Sequence, residues 1–267
     1  MTPPSLPSLS VVIPRRGIND EHLGKKHALR KLISAAQTDY VWMRDDDVTP
    51  PAILPKDMAL LLCRLGCPDL LILPLRMEGN PERLIERLQT AEYAAIQAVT
   101  MQTATEGRAV MCSGANLIVR RDRWLESYEE LHPELPSGDD MFLLESFKRR
   151  GLRITAWDSP EATAVVRPCP TLRTLLRQRM RWAGKAGHYT DGDIRRYGLT
   201  IAVLNLLQAV FPPILLLKFP YEYRLIKTRD RSVSLITALL LEAVYPWYML
   251  ICLIGGLLSA GQKHPQF

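Results

Sequence analysis

The feature that most constrains the fold is the run Tyr40-Val41-Trp42-Met43, which ends in three consecutive carboxylates, Asp45, Asp46 and Asp47. An apolar run of this length reads as a buried strand. Before it, "GKKHALRKLISAAQTDY" places Ala28, Leu29, Leu32, Ile33 and Ala36 at helical spacing on one side. A helix leading into a buried strand is the unit of an α/β sheet, and ligands in such sheets collect beyond the strands' C-terminal ends. The three aspartates stand at that kind of end.

The alternation continues along the chain. "LSVVIP" contains a short β-like run at 11–13 stopped by Pro14, and residues 55–66 have helical spacing. "DLLILPL" (69–75) reads as a strand. "PERLIERLQTAEYAAIQAVTMQ" reads as a helix with Pro81 in its first turn, running about six turns. "RAVMCSGANLIVRRDRW" (108–124) predicts strand, glycine-containing turn and strand. "SGDDMFLLESFKRRG" (137–151) predicts a helix capped by Ser137 or Asp139, with Met141, Leu144 and Phe147 on its apolar face and Gly151 at its end. "LRITAWD" is a strand, and "TLRTLLRQRMRWAGKA" is a basic amphipathic helix.

Beyond Gly198 the character changes. Leu199–Leu217 is a run of 19 residues without a charge, and Ser232–Ala260 is a second apolar stretch interrupted by Glu242 and Pro246. Both are long enough to enter or cross a bilayer. Pro212-Pro213 breaks a straight helix in the first stretch. The linker "KFPYEYRLIKTRDR" has the Lys, Arg and Tyr content of a membrane interface. If both stretches span, the basic linker and the basic boundary before Gly198 fall on opposite sides, against the positive-inside rule. A re-entrant or interfacial first stretch keeps the linker cytoplasmic, and a soluble chain burying both stretches is the competing arrangement. Glu242 in an apolar setting calls for a buried partner or a polar lumen. These features set domains at 1–190 and 191–267, the second carrying apolar segments at about 199–217 and 232–260.

The net charge is +6, and the cations crowd near the junction at Arg173, Arg177, Arg179, Arg181, Lys185, Arg195 and Arg196. That distribution suits anionic lipid or an anionic ligand rather than nucleic acid. The 5 cysteines are scattered without zinc-site spacing and read as reduced thiols. The start "MTPPSLPSLS" lacks the basic and apolar regions of a signal peptide. His22, His27, His132 and His188 lack ligand spacing and are assigned to surface or packing.

Three clusters carry chemistry. Asp45 and Asp47 stand in Asp-x-Asp spacing, so in an extended segment both side chains point the same way, as a divalent cation holding a pyrophosphate requires. An acidic turn with a helix cap is the plainer reading. In "SGDDMFLLESF", Asp140 stands at a helix start beside Asp139 and is placed to act as a general base. In "QRMRW", Arg181 is placed to pair with a phosphate leaving group, Gln178 shares its face, and Trp182 offers a flat surface to a sugar ring. The plainer reading of that helix is a surface helix on a membrane. Lys25 and Lys26 either approach a phosphate or form a solvated helix start.

In this order, with "GKKHALRKLISAA" as a Gly-Lys-x-x-Ala-Leu helix and "SGANLIVRRDRW" as a Gly-x-Asn turn, the chain resembles a membrane-associated family 2 glycosyltransferase of the cellulose-synthase and hyaluronan-synthase kind over roughly residues 23–260. The resemblance implies a GT-A-like (Rossmann-like) α/β fold, a mixed sheet flanked by helices and followed by C-terminal membrane helices. It implies that Asp45 and Asp47 hold Mg²⁺ or Mn²⁺ and the nucleotide diphosphate, with Asp47 as direct metal ligand. Lys25 and Arg181 join the donor site. Asp140 is the base. Gly114, Asn116, Asp139, Gln178 and Trp182 face the acceptor. The implied reaction is inverting transfer from a nucleotide-diphosphate sugar, a UDP-sugar, to a glycan or lipid acceptor at the cytoplasmic face of the inner membrane. Against the family pattern, only about 22 residues precede Gly24, with Asp20 or Glu21 as the sole acids in reach. The expectation is a sheet truncated at the N-terminus and lacking the usual base-binding portion. That leaves a competing function: a non-catalytic relative, dependent on a partner subunit, that does not bind nucleotide by itself.

Overall fold

The structure is a computed structural model that describes residues 6–14, 24–135 and 137–260. Asp20, Glu21 and His22 lie outside the described residues. The chain divides into two compact units: residues 1–75 with 101–165, and residues 76–100 with 166–267.

The first unit is built on a five-stranded mixed sheet. Its strands are β1 (Leu9–Val12), β2 (Tyr40–Arg44), β3 (Leu70–Ile72), β5 (Asn116–Arg120) and β6 (Ile154–Ala156), in the order β1-β2-β5-β3-β6. β1 runs parallel to β2, and β3 runs parallel to β6. β5 lies antiparallel between β2 and β3, with Arg44 opposite Asn116 and Ile72 opposite Leu117. One rim therefore gathers the C-terminal ends of β2 and β3 and the N-terminal end of β5. Helices α1 (Gly24–Ala35), α2 (Pro55–Arg64), α4 (Arg121–Glu126) and α5 (Asp139–Arg149) accompany the sheet. Tyr40, Trp42, Leu71 and Ile118 pack with Met58 and Leu62 of α2 in one apolar cluster, and Val41 and Met43, which point to the other face, are buried as well, so the apolar run in β2 is unbroken. Asn116 fastens the strands. Its Oδ1 accepts from Trp42 Nε1, and its Nδ2 donates to the carbonyls of Pro74 and Ala162, each at 2.9 Å.

Several local expectations are corrected. The strand expected over 69–75 stops at Ile72 and resumes as β4 (Leu75–Met77), because Pro74 has no N–H for a ladder. The long helix α3 (Leu84–Thr105) begins after Pro81: Asn80 closes a turn by accepting from Glu82 N, and Glu86 accepts from Asn80 N. Residues 108–113 are not a strand, and their polar groups find partners outside any ladder. Ala109 O accepts from Lys148, Val110 N donates to Thr103, and Cys112 Sγ donates to the Asp140 carbonyl. After Arg120 the chain turns into α4 rather than extending to Trp124. Helix α5 is capped by Gly138 at φ 92°, without a side-chain cap from Ser137 or Asp139. That left-handed geometry is open to glycine. Met141 is half-buried, and the buried face of α5 is Phe142, Leu143, Leu144 and Phe147.

The second unit holds the start of α3, then α6 (Leu172–Ala183), α7 (Gly192–Val210), α8 (Ile214–Arg229) and α9 (Leu235–Ala260); the chain re-enters it at β7 (Ala164–Val166). The apolar stretch expected over 199–217 is divided between α7 and α8 at Pro212-Pro213. Among the described residues one helical segment, Leu235–Leu258, is long and apolar enough to cross a membrane. Its side chains at Ile236, Trp247, Ile254, Leu257 and Leu258 are exposed. Glu242 has the buried partner its setting demanded: Lys218 Nζ lies 2.6 Å away, and Lys218 also donates to Asn205. Helix α9 meets α6 backbone to backbone. A Cβ at Gly256 would lie 2.7 Å from Gly184 N and 2.8 Å from Met180 O.

That contact makes Gly256→Ala informative. Alanine gains about 1 kcal/mol of helix preference, but intrusion on fixed backbone costs about 1–3 kcal/mol. The expected result is a lower melting temperature in a detergent melt, whereas Gly187→Ala, with open space around it, is neutral or mildly stabilising.

Candidate active site

The rim of the sheet assembles five of the expected residues. β2 delivers Asp45, α1 delivers Lys25, the turn before β5 delivers Gly114, and the first turn of α5 delivers Asp139 and Asp140. Lys25 Nζ lies 2.8 Å from Asp45 Oδ1 and 3.5 Å from Asp139 Oδ2. Gly114 leaves room for this pairing: a Cβ there would lie 3.2 Å from Asp139 Oδ2 and 3.6 Å from Lys25 Nζ. Its N–H donates to Asp140 Oδ2 at 3.2 Å, while Asp140 Oδ1 accepts from Met141 N at 2.8 Å. The Asp140 carboxylate is thus oriented through both oxygens.

Burial opposes the charge on Lys25, but Asp139 and Asp45 outweigh it and raise its pKa above the ordinary 10.5. A cation with a raised folded value contributes stability that is fully present below 10.5 and lost only as pH climbs through the higher folded value. Cys112 stands beside the two aspartates of α5, its Sγ 3.2 Å from the Asp140 carbonyl. Burial, with Asp140 and Asp139 adding to it, pushes its thiol well above its usual range, so it stays protonated.

Three placements differ from expectation. Asp45–Val48 is a turn, with Val48 N donating to Asp45 O at 3.4 Å, so the extended geometry that would align Asp45 and Asp47 is absent. Asp47 is exposed on that turn. Asn116 is 1% exposed with its amide fully engaged, so the acceptor contact expected of it gives way to a structural role. Lys26, read as part of a solvated helix start, is 2% exposed. It donates to the carbonyls of Leu131 and His132, both at 2.6 Å, and lies over the Phe142 ring. It therefore ties down the segment leading into Gly138 and the two aspartates. Its i,i+3 spacing to Leu29 on the apolar face was the signal for burial.

Gln178, Arg181 and Trp182 lie on α6 in the second unit. Arg181 and Trp182 are exposed and Gln178 is half-buried. Thr171 caps the helix in a reciprocal box with Thr174. Arg179, counted in the sequence only among the cations near the junction, organises the motif. It is buried, pairs with Glu92 at 2.7 Å, donates to Gln178 Oε1 at 2.7 Å and stacks over Trp182 at 4.2 Å. Burial opposes its charge, and Glu92 more than restores it. Its i+4 relation to the buried Leu175 marks it as a charge on an apolar face, which requires a partner.

The fit to a divalent cation is partial on the protein side. The donors are hard carboxylate oxygens, and Asp139 Oδ2 is buried without a hydrogen-bond partner. Among the described residues no three His, Cys, Asp or Glu side chains gather as a metal cluster. Mg²⁺ and Mn²⁺ sites commonly use one or two carboxylates with substrate phosphates supplying the rest; Asp45 stands at the rim, while Asp47 is exposed on the turn that follows it.

Replacing Lys25 by Met strands Asp139, which is 5% exposed, beside Asp45. Removing one partner of a buried pair costs about 3–5 kcal/mol; Lys25 itself is 31% exposed, so water trims the loss to about 1–3 kcal/mol. The denaturant midpoint of this variant at pH 7 should therefore fall below that of wild type by the equivalent of that loss.

A family model described as "Glycosyltransferase like family 2" matches residues 9–185 of the 267. No curated protein matches the chain. Among solved structures, the mannosyltransferase PcManGT from Pyrobaculum calidifontis, in complex with GDP-Man and Mn²⁺, is similar at 20% identity. The likeness covers 90% of this chain and 68% of that one, with a TM-score of 0.45, which is too slight to bear on donor or metal. The mixed sheet flanked by helices has the GT-A-like character expected, and the family match spans well over half of the residues. On that match, the chain belongs to glycosyltransferase-like family 2.

Proposed function

We propose that the protein is an inverting glycosyltransferase that moves a sugar from a nucleotide diphosphate, a UDP-sugar, to a glycan or lipid acceptor at the cytoplasmic face of the inner membrane. The observation that carries this reading is the convergence of Asp45, Lys25, Gly114, Asp139 and Asp140 on one rim within the family-matched region. Residues 1–190 are read as the catalytic domain and 191–267 as the membrane-associated region; the apolar helix Leu235–Leu258 supports the second part.

Asp45 and Asp47 would hold Mg²⁺ or Mn²⁺, which supplies positive charge to the departing diphosphate. The Lys25 ammonium, which stands beside Asp45 and Asp139, would offer positive charge to the phosphates. Asp140, held by two backbone N–H groups, accepts the proton of the attacking acceptor hydroxyl as the new C–O bond forms. The anomeric C–O bond to the diphosphate breaks in the same in-line displacement, which inverts the anomeric carbon. Asp139 keeps Lys25 and the acceptor side in register. On α6, Arg181 answers the charge of the leaving group, and Trp182, stiffened by Arg179, presents its face to the acceptor's end.

The second reading is a non-catalytic relative that acts with a partner subunit and binds no nucleotide alone. Titration of the purified chain with UDP and with GDP, in Mn²⁺ and in EDTA, separates the two. Binding that requires Mn²⁺ and weakens at least tenfold in Asp47→Ala is expected; no heat of binding under any condition selects the second reading. With a competent donor, Asp140→Asn should lose about 10²–10⁴ in turnover while retaining nucleotide affinity, because only the proton acceptor is removed.

A further inference from the structure

The C-terminal turn of α8 and the short connection to α9 form a shallow open hollow of about 490 Å³, lined by Arg224, Lys227, Thr228 and Arg231. Three of its four lining residues are cations, and Arg224, Thr228 and Arg231 are exposed. Cations in a last helical turn ordinarily answer the helix dipole. That accounts for Lys227, whose Nζ donates to the Arg231 carbonyl at 2.6 Å and stands 5.4 Å from the Tyr223 ring. It does not account for Arg224, which lies further back, or Arg231, which lies past the helix end.

The nearby carboxylates are occupied elsewhere. Glu222 lies 3.4 Å from Lys218, and Asp230 accepts from Ser232 through backbone and hydroxyl. The hollow is therefore left with an excess of positive charge from its three cations. Four residues beyond Arg231 begins α9, the one described helix long and apolar enough to cross a bilayer. The α8 side chains Leu216, Leu217 and Tyr221 are exposed as well. An open cationic hollow just before an apolar helix is where the headgroup of a lipid would meet the chain.

We infer that Arg224, Lys227, Thr228 and Arg231 form a binding site for the phosphate headgroup of an anionic phospholipid, anchoring the start of α9 at the membrane surface. Arginine forks suit the phosphate oxygens, and Thr228, whose hydroxyl donates to the Leu225 carbonyl at 2.6 Å, lines the hollow without adding a donor. The inference rests on the membrane-associated reading of this region.

The test uses the full chain purified in a neutral detergent and offered equal amounts of phosphatidylcholine and phosphatidylglycerol, with the retained lipids counted by native mass spectrometry. Wild type should retain phosphatidylglycerol in excess. The excess should fall by roughly fivefold for each cation removed in Arg224→Gln/Lys227→Gln/Arg231→Gln. It should persist in Arg224→Lys/Arg231→Lys, which keeps the charge, and in Lys56→Gln/Arg64→Gln/Arg108→Gln, which removes as many exposed cations elsewhere. Equal loss in that last variant, or no excess in wild type, overturns the site. Retention of inorganic phosphate by wild type but not by the triple glutamine variant, without any lipid preference, assigns the hollow to a soluble anion and overturns the lipid. The membrane reading is checked separately by whether the chain stays with phosphatidylcholine vesicles after an alkaline wash. Loss there sinks the whole reading, while retention without phosphatidylglycerol preference sinks this site alone.

Discussion

The site depends on one ammonium group. Three carboxylates follow β2, and two more open α5. At the rim the sheet brings Asp45 and Asp139 within reach of a single Lys25 Nζ. Bringing like charges together in a partly dehydrated place is unfavourable unless a cation stands between them. Gly114 leaves the space that lets the cation reach both sides, and its own N–H orients Asp140. The resting protein thus holds its acidic rim together internally. A positively charged ligand arriving at Asp45 would compete with Lys25, and an anionic one would find Lys25 waiting.

The second unit repeats the principle with a different cation. Arg179 and Glu92 neutralise each other in a buried setting, and the guanidinium also braces Gln178 and Trp182. The two polar side chains that sequence reasoning assigned to binding are therefore held by a neighbour whose task is internal. Lys218 does the same for Glu242 among the apolar helices. In each case a buried carboxylate identifies where the chain had to supply a base.

Much of this was legible in the sequence because it followed from periodicity. The apolar run of β2, the helical spacing of α1 and α6, the Gly151 terminus of α5 and the break at Pro212-Pro213 each have a local cause. What escaped was set by tertiary partners. Residues 108–113 have strand-like composition, yet Thr103, Lys148 and Asp140 claim their polar groups before a neighbouring strand can. Asn116 sits in a motif associated with ligand binding, but its amide is consumed by Trp42, Pro74 and Ala162. Lys26 and Arg179 are charged residues on apolar faces, where composition suggests solvent and only periodicity suggests burial. The turn at Asp45–Val48 defeated the Asp-x-Asp alignment because the strand ends at Arg44, before the first of the three aspartates.

The glycine contact between α6 and α9 has a mechanical meaning. With Gly184 and Gly256 touching main chain to main chain, no flexible side chain lies between the two helices at that point to absorb a displacement. A sideways or axial shift of α9 is passed directly to α6, and with it to the guanidinium of Arg181 and the indole of Trp182. The seating of the apolar helix and the aim of the motif are one rigid adjustment.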